Sequence, residues 1–376
     1  MWEMLLSNFQ QIRPPFESSQ EDTLNWCVAA HAQAEKMKGK SEAEVERFRT
    51  EIAERMWHVG CKPDRIGKRG HILEDFLHRD WGRMAIYRLE ERAEGLGLDE
   101  RVKQYGRHVD GIFEQFYEGV VKGPDDLIHV TCTGYLSPSG AQKIVSKRNW
   151  GEQTTVTHAY HMGCYGSIPA IRMARGFLSS EERARVDIVH TEVCCLHTNP
   201  AMHGLDQLVS QSLFADGFIK YSAERVCEGD HYRVLAVREE IIPNSLKAMT
   251  WDVVEWGFQM SLAKEVAVLI ARSLKGYLAR LTKGISLDYR TLFAVHPGGP
   301  KILLHVQEIL GLTDFQMQYS FGVLKDYGNM SSATLPHIWK RILEDEQIPA
   351  ETVVVSLAFG PGLSICGSVM VKTCGN

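Results

Sequence analysis

Apolar and polar residues recur with helical spacing in the first third of the chain. Residues 42–57 and 98–121 carry apolar side chains every three or four positions, with charged side chains between them. This spacing is typical of amphipathic helices. Polar turn residues, such as those at 62–64 and 95–97, separate these segments. We therefore predict that the first 120 residues are mainly helical.

From about residue 127 the pattern changes to short β-rich runs that alternate with helical segments. The predicted strands cover residues 127–132, 154–160, 186–189, 291–295 and 352–357. Helices are predicted over residues 168–178 and after residue 300. Such alternation is typical of βαβ units with a largely buried sheet. The predicted fold class is therefore α/β.

A short internal similarity suggests that the chain contains two related halves. Residues 212–219 (SLFADGFI) and 356–363 (SLAFGPGL) both read as an apolar run, a glycine turn and a second strand. On this basis we predict an N-terminal half over residues 1–225, with a helical extension, and a C-terminal half over residues 226–376. The similarity is too short to establish a repeat by itself.

Composition excludes several classes of protein. The 376 residues are 44% hydrophobic and 24% charged, with a formal net charge of -5, which disfavours disorder, coiled coils and the basic surface of a nucleic-acid-binding protein. Nine cysteines do not suggest a disulfide framework. We find no signal peptide and no apolar run of membrane-spanning length. We therefore expect a soluble, cytoplasmic protein with free thiols, no nucleic-acid partner and no membrane span.

Reactive or hydrogen-bonding residues stand at three predicted strand-to-helix junctions. Cys164 lies in a turn beside two glycines, His296 ends a predicted strand, and Asn329 precedes a helix. In open α/β sheets, side chains beyond the carboxyl ends of strands converge on one crevice. Each residue also has a structural interpretation, as an inert buried thiol, a hydrogen-bonded histidine or a turn asparagine.

Together these three residue types could form one catalytic site. A cysteine near a helix N-terminus has a lowered pKa and a larger thiolate fraction. A thiolate can attack a carbonyl carbon while imidazole and amide N–H groups stabilise the oxyanion. This chemistry fits either a papain-like hydrolase or an acyl-transferring condensing enzyme. The hydrolase is disfavoured because Cys164 lies far from the N-terminus and lacks the Cys-Gly-x-Cys-Trp setting of that class.

A metal site is the other interpretation of the same segments. His158, His161 and Cys164 are spaced HxxHxxC, and Cys194, Cys195 and His197 lie close together in sequence. Paired CxxC and HExxH units, which characterise many zinc sites, are absent. The side chains of residues 154–160 would also alternate between the two faces of a strand. We predict no metal site.

The three junction segments resemble those of one enzyme family. YHMGCYGS, VHPGGPKIL and YGNMSSA, followed by AFGPGLS near the C-terminus, are similar to the nucleophile, histidine and asparagine segments of chalcone synthase-like type III polyketide synthases. Shorter stretches, among them Thr131–Tyr135 and Lys264–Val266, also fit. The resemblance runs from about residue 125 to the C-terminus and is only general before that.

The resemblance implies a thiolase-like five-layer αβαβα fold, two duplicated halves and a homodimer. It implies that Cys164 takes an acyl group from a thioester of coenzyme A or of a carrier protein, and that His296 and Asn329 hold the carbonyl oxygen of an incoming malonyl or β-keto thioester. Loss of CO₂ would generate an enolate that attacks the acyl group in a Claisen condensation. No tightly bound cofactor is implied, because coenzyme A and phosphopantetheine thioesters are substrates.

The chain also departs from the family at positions that shape the pocket. His197 and Met260 align with two phenylalanines that gate the cavity of plant enzymes, and Ser137 replaces a methionine that plant enzymes project across the dimer. Of three basic residues that hold the coenzyme A phosphates, Arg55 and Lys62 are retained and His58 stands at the third position. A further set of expected substrate-binding residues contains the glycines Gly298, Gly360 and Gly362.

We therefore expect an acyltransferase that forms carbon–carbon bonds in polyketide, pyrone or resorcinol biosynthesis. The substituted gate residues leave open a variant that couples two preformed β-keto acyl chains. A second alternative transfers the Cys164-bound acyl group to an oxygen or nitrogen nucleophile. A non-catalytic or metal-binding protein is the third.

Overall fold

The computed structural model of the chain describes residues 2–180 and 182–375, which form thirteen strands and ten α-helices. The strands are β1 (Met4–Ile12), β2 (Phe16–Ser19), β3 (Lys68–His71), β4 (Asp126–Thr131), β5 (Thr155–Tyr160), β6 (Arg185–Glu192), β7 (Gly217–Glu224), β8 (His231–Ile241), β9 (Met249–Val254), β10 (Gly257–Leu262), β11 (Leu292–Val295), β12 (Val353–Gly360) and β13 (Ser364–Thr373). The helices are α1 (Gln20–Met37), α2 (Glu42–Val59), α3 (Leu98–Phe116), α4 (Gly140–Lys147), α5 (Ser167–Phe177), α6 (Leu205–Gln211), α7 (Val266–Leu281), α8 (Pro300–Leu310), α9 (Asp314–Tyr327) and α10 (Thr334–Leu343). No helix in the described part of the chain is long and apolar enough to cross a membrane.

The predicted strand–helix alternation is confirmed, with most bounds shifted by a residue or two. One exception is α3, which ends at Phe116 although its apolar spacing continues towards residue 121. The chain leaves the helix at Tyr117, and Gly119 adopts a φ of 70°, in the left-handed region that terminates helices.

The prediction for the first 120 residues missed three strands: β2 and β3, which form a separate small sheet, and β1, which lies in the middle of the large sheet. The strand β1 pairs antiparallel with both β7 and β8. Its Met4 and Leu6 side chains are buried, whereas the residues that follow are mostly polar and partly exposed. The polar second half obscured the alternation of the first half, and the two neighbouring strands come from distant parts of the sequence.

Nine strands form one mixed sheet in the order β11-β12-β13-β8-β1-β7-β6-β4-β5. Outward from the central β1–β8 pair, each side begins with two antiparallel pairings, β1–β7–β6 and β8–β13–β12. Each side then continues with a parallel pairing, β6–β4 or β12–β11. The same order of directions on both sides is the arrangement that a duplicated fold requires. The boundary at residue 225 stays a prediction.

The two sides of the sheet enclose a central helical layer and carry helices on their outer faces. Buried side chains of α5 and α10 pack between the two sides in one apolar cluster. A second cluster joins β4, β6 and β7 to α1, α3 and α4, and a third joins β11, β12 and β13 to α7, α8 and α9. Because both faces of the strands are covered, the layers follow the order αβαβα.

Candidate active site

A tight turn after β5 presents Cys164 at the N-terminus of α5. His161 and Gly163 have φ values of 61° and 76°, and residues 163–165 form a short 3₁₀ turn before the helix begins at Ser167. A Cβ on Gly163 would lie 2.9 Å from Pro361 Cδ, so both the conformation and the space favour glycine. The Cys164 side chain is buried, with 7% of the residue exposed.

His296 follows β11 and extends its pairing with β12 by one residue, because its backbone N–H donates to the Leu357 carbonyl oxygen at 2.8 Å. Its side chain is buried, yet neither Nδ1 nor Nε2 has a hydrogen-bond partner among the described residues. Burial lowers the pKa of His296 to about 3, so the imidazole is neutral at neutral pH. Buried polar atoms without partners are rare, and here they indicate a ligand-facing group.

Asn329 is fixed by its backbone and by one side-chain oxygen. Its N–H donates to the Leu213 carbonyl and its carbonyl accepts from the Ala215 N–H, both at 2.9 Å. The Oδ1 atom accepts the Ser331 N–H at 2.9 Å. Because Oδ1 is already engaged, the side chain offers its Nδ2 donors to other groups.

The charge state of Cys164 differs from the one predicted from its helix terminus. Burial raises the pKa of the Cys164 thiol to about 12, and the charge of Glu192 adds to this rise. Hydrogen bonds from Ser331 and Asn329 lower the pKa but do not offset burial. The thiol is therefore protonated at neutral pH in the unliganded protein, and its activation requires a base.

An outer cavity of about 550 Å³ connects these three residues to solvent. Cys164, His296 and Asn329 line its inner end, together with Met260 and Gly298. Its walls are largely apolar, formed by Val209, Leu213, Met249, Leu262, Val266, Ile270 and Phe359. Exposed side chains at its opening are mostly cationic or imidazole groups: His58, Lys62, Arg65, Lys264, Lys301 and His305, with Asp64 as the acidic member.

A smaller inner cavity of about 50 Å³ adjoins the outer one and shares four lining residues with it: Cys164, Ser210, Phe214 and Met260. His197 lines it, and both of its ring nitrogens are engaged. Nε2 donates to the Thr133 carbonyl oxygen at 2.8 Å, and Nδ1 accepts the Phe258 N–H at 3.1 Å. The ring stacks on Phe258 with centroids 4.4 Å apart.

Other predicted binding residues lie off these cavity walls. The Arg55 Nη2 donates to the His203 carbonyl oxygen at 2.7 Å, and Arg55 does not line the outer cavity, whereas Lys62 does. A Cβ on Gly360 would lie 2.3 Å from Tyr165 Cδ1, so this glycine allows β12 to pack against the nucleophile turn. Gly362 has a φ of 112° and lies outside the lining of both cavities.

Sequence reasoning missed Arg65, Lys264 and Lys301 at the outer opening. Lys264 and Lys301 lie inside segments that carry the family resemblance. The resemblance therefore included these two residues, but no substrate-binding role was predicted for them. The residues weighed as metal ligands do not cluster, because no group of three His, Cys, Asp or Glu side chains in the described part of the chain could hold a metal ion.

Glu192 was also missed, although its charge contributes to the raised pKa of Cys164. It is 0% exposed and ends β6. Its carboxylate accepts the Thr133 hydroxyl at 2.9 Å, the Cys132 N–H at 3.1 Å and the Ser332 hydroxyl. The carboxyl group at the end of the strand 185–192 was the only signal in the sequence.

The fold and the site together define a thiolase-like protein with a buried cysteine, histidine and asparagine at the end of a ligand-sized cavity. The sequence matches the family description "Chalcone and stilbene synthases, N-terminal domain" over residues 122–223 and the corresponding C-terminal domain over residues 233–374. The chain therefore belongs to the chalcone and stilbene synthase family, the type III polyketide synthases.

Individual relatives agree with this assignment. "Probable polyketide synthase 1" of Dictyostelium discoideum is 30% identical over 251 residues, which is 64% of this chain. The aligned region spans only 8% of that relative's length.

Solved structures show the same fold. The C-terminal type III polyketide synthase domain of Steely1, a type I/III hybrid from Dictyostelium, matches with a TM-score of 0.82 at 21% identity and covers 99% of both chains. PKS-I from the brown alga Ectocarpus siliculosus matches with a TM-score of 0.79 at 19% identity, over 98% of this chain and 97% of that one. The predicted thiolase-like fold is confirmed.

Proposed function

We propose that this chain is an acyltransferase that extends an acyl group on Cys164 by decarboxylative Claisen condensation. One observation carries the proposal: a buried thiol, an imidazole whose two nitrogens have no partner among the described residues, and an amide that donates towards the thiol all line the outer cavity. None of these features is needed for packing, and together they supply the parts of an acyl-transfer site.

In the loading step, the Cys164 sulfur attacks the carbonyl carbon of an acyl thioester. The neutral His296 ring takes the thiol proton as the sulfur–carbon bond forms and makes that proton acidic, because the ring has an acceptor nitrogen without a partner among the described residues in the same cavity. The carbon–sulfur bond of the substrate breaks, and the leaving thiol takes the proton from His296. The products are acyl-Cys164 and the free thiol of the carrier.

In the condensation step, a malonyl thioester occupies the outer cavity with its carbonyl oxygen held by His296 N–H and Asn329 Nδ2–H. Loss of CO₂ leaves the electron pair on the enolate, whose oxygen these donors stabilise. The enolate carbon attacks the acyl carbonyl, and the bond to Cys164 breaks. The products are a β-keto thioester, CO₂ and the Cys164 thiolate, so no strong base is required.

We further propose coenzyme A thioesters as the substrates, with no tightly bound cofactor. The exposed Lys62, Arg65, Lys264 and Lys301 at the opening of the outer cavity favour the several phosphate charges of coenzyme A over the single phosphate of a phosphopantetheine arm. Of the four, Arg65 also pairs with Asp64 at 3.3 Å.

A homodimer is proposed from the free edge of the sheet. The strand β5 pairs with β4 on one side only, and Thr155 and His158 on it are exposed. An exposed edge strand can pair with another chain, so a second copy is the proposed partner. Light scattering during size-exclusion chromatography should give twice the chain mass of 42.5 kDa.

The coupling of two preformed β-keto chains is the second candidate. The inner cavity of about 50 Å³ leaves little room for a long chain, which favours one or few condensations over many. Transfer to an oxygen or nitrogen nucleophile is the weaker alternative, because it has no enolate for Asn329 to stabilise.

The test is incubation of the purified chain with an acyl-CoA and malonyl-CoA, with products and intact protein read by mass spectrometry. We expect an acyl adduct on Cys164 and a β-keto or pyrone product. In Cys164→Ala both should be lost, with turnover falling by at least about 10³-fold. Cys194→Ala is the matched control, because Cys194 lines the inner cavity and is equally buried. Equal turnover of Cys164→Ala and wild type would overturn the proposal.

A further inference from the structure

A second thiol lies beside Cys164 and has no role in the steps above. Cys132 follows β4 and lines the inner cavity together with Cys164. Its Sγ lies 3.0 Å from Ser331 Oγ and 3.5 Å from Glu192 Oε2. Only 4% of the residue is exposed. The thiol therefore has specific polar contacts in a site that an acyl group on Cys164 reaches.

Ser331 links the two thiols. Its hydroxyl is hydrogen-bonded to the Cys132 sulfur, and a hydrogen bond from the same side chain lowers the pKa of Cys164. Two sulfur atoms that share one hydroxyl partner lie within a few ångströms of each other. A carbonyl carbon bonded to one sulfur is then within reach of attack by the other.

Glu192 provides the base that such an attack needs. Its carboxylate is fully buried, and none of the ion pairs formed by the described residues includes it. Burial raises the pKa of Glu192 despite its hydrogen bonds, which makes it a better proton acceptor near neutral pH than an ordinary carboxylate. The Cys132 S–H donates to Glu192 Oε2, so the proton already points at this base.

We propose that Cys132 is a second acyl-accepting nucleophile, which receives an acyl group from Cys164 and leaves Cys164 open for a second load. The inference rests on the proposed function, because it requires an acyl-Cys164 donor. It names a holding site in which two acyl groups reside on one chain at the same time.

The transfer balances without a further reactant. Glu192 takes the proton of the Cys132 thiol, and the Cys132 sulfur attacks the carbonyl carbon of acyl-Cys164. The bond from that carbon to the Cys164 sulfur breaks, and Cys164 leaves as a thiolate held by the donors of Ser331 and Asn329. One negative charge is present before the step, on Glu192, and one after it, on Cys164. The new thiolate is ready to attack the next thioester.

The transfer exchanges one thioester for another, so both adducts should form in comparable amounts. The experiment is incubation of the full chain with ¹³C-acetyl-CoA in the absence of malonyl-CoA, followed by an acid quench and peptide mass mapping. Acetyl is chosen because the inner cavity is small, at about 50 Å³. We expect acetyl groups on peptides containing Cys164 and on peptides containing Cys132.

Variants separate this proposal from the proposed function. Cys132→Ala should retain the Cys164 adduct alone, and Cys164→Ala should lose both adducts, because Cys132 is loaded only from Cys164. Glu192→Gln should lower the initial rate of Cys132 labelling at least tenfold, measured at short quench times, while Cys164 is still labelled. Cys194→Ala is the matched control and should show both adducts, since Cys194 lines the same cavity.

Two outcomes would overturn the holding site. If Cys164 is acetylated in wild type and Cys132 is not, the holding site is wrong and the proposed function stands. If Cys132 is still labelled in Cys164→Ala, it is loaded directly and the transfer is wrong. Absence of the Cys164 adduct in folded wild type would instead contradict the proposed function, and the holding site would fail with it.

Discussion

The outer and inner cavities meet at Cys164, and one histidine lines each of them: His296 is buried, whereas His197 is partly exposed. His296 lines the outer cavity and His197 the inner one, and burial lowers the pKa of each to about 3. Their partners differ completely. His197 uses both ring nitrogens within the protein, whereas neither ring nitrogen of His296 has a partner among the described residues.

This contrast indicates different functions for the outer and inner cavities. A buried group whose hydrogen bonds are all satisfied stabilises the wall that it belongs to. A buried group with none satisfied costs stability unless a ligand completes it. The outer cavity is therefore the place where substrate carbonyl groups bind, and the histidine of the inner cavity shapes a wall. Matched substitutions of the two histidines test this division.

The largest expected effect comes from His296→Phe. The ring size is nearly preserved, but the N–H donor and the acceptor nitrogen are removed, so condensation should fall by about 10²–10³-fold. Because the His296 side chain has no hydrogen bond to lose with the described residues, the free energy of unfolding should stay within about 1 kcal/mol of wild type. Steady-state turnover and urea unfolding measure the two quantities. Large destabilisation with retained turnover would reverse the roles of the two histidines.

His197→Phe should show the opposite profile. Phenylalanine can keep the stacking on Phe258, but it leaves the Thr133 carbonyl and the Phe258 N–H without a partner. Each buried unpaired group costs about 1–3 kcal/mol, so we expect a loss of about 2–4 kcal/mol in the free energy of unfolding. Turnover below the unfolding temperature should remain within about tenfold of wild type. A stable but inactive variant would place His197 in the chemistry.

Acid sensitivity should respond equally to both substitutions. The folded-state pKa of each histidine is about 3, whereas an unfolded chain has a histidine pKa of about 6.5. Between these values the unfolded state binds a proton that the folded state excludes, so stability falls as the pH falls. As the pH falls from 6 to 4, the free energy of unfolding of each variant should therefore decrease by about 1 kcal/mol less per pH unit than that of wild type. Urea unfolding across that range checks this, and a change in only one variant would contradict it.

The smallest effect is expected at the opening of the outer cavity. Lys264→Ala removes one exposed cation from this opening, so the KM for acyl-CoA should rise about 2–5-fold with kcat unchanged. The difference should shrink in high salt. Arg55→Ala, which removes a charge outside the lining, should leave the KM within twofold. Equal effects of Lys264→Ala and Arg55→Ala on the KM would argue against phosphate binding at this opening. So would a Lys264→Ala variant whose KM is unchanged both with pantetheine thioesters and with coenzyme A thioesters.

Local signals in the sequence were sufficient to select Cys164, His296 and Asn329. Each stands at a junction marked by glycine or proline, and junctions of an α/β sheet converge on one edge. The same local signals predicted the strands β4, β5, β6, β11 and β12. Apart from the edge strand β5, these elements are buried on both faces, so their apolar residues are easy to recognise.

Features that depend on distant contacts could not be predicted in this way. Glu192 is held by Thr133 and Ser332, which come from different parts of the chain. The position of Arg55 depends on which face of α2 meets residue 203. The strand β1 is recognisable only through its pairing with β7 and β8. In each case the residue is visible in the sequence, but its role depends on tertiary contacts that the sequence does not show.

The most direct test of the central claim is the yield of CO₂ per carbon–carbon bond formed. The chain would be given an acyl-CoA and malonyl-CoA labelled with ¹³C at its free carboxyl carbon, and labelled CO₂ and product would be measured together. Our account predicts one labelled CO₂ for each two-carbon unit added, with no extended product from Cys164→Ala, in which any CO₂ released is uncoupled from bond formation. Acyl transfer without CO₂ release would contradict it. So would a Cys164→Ala variant that releases as much CO₂ as wild type and also forms the extended product.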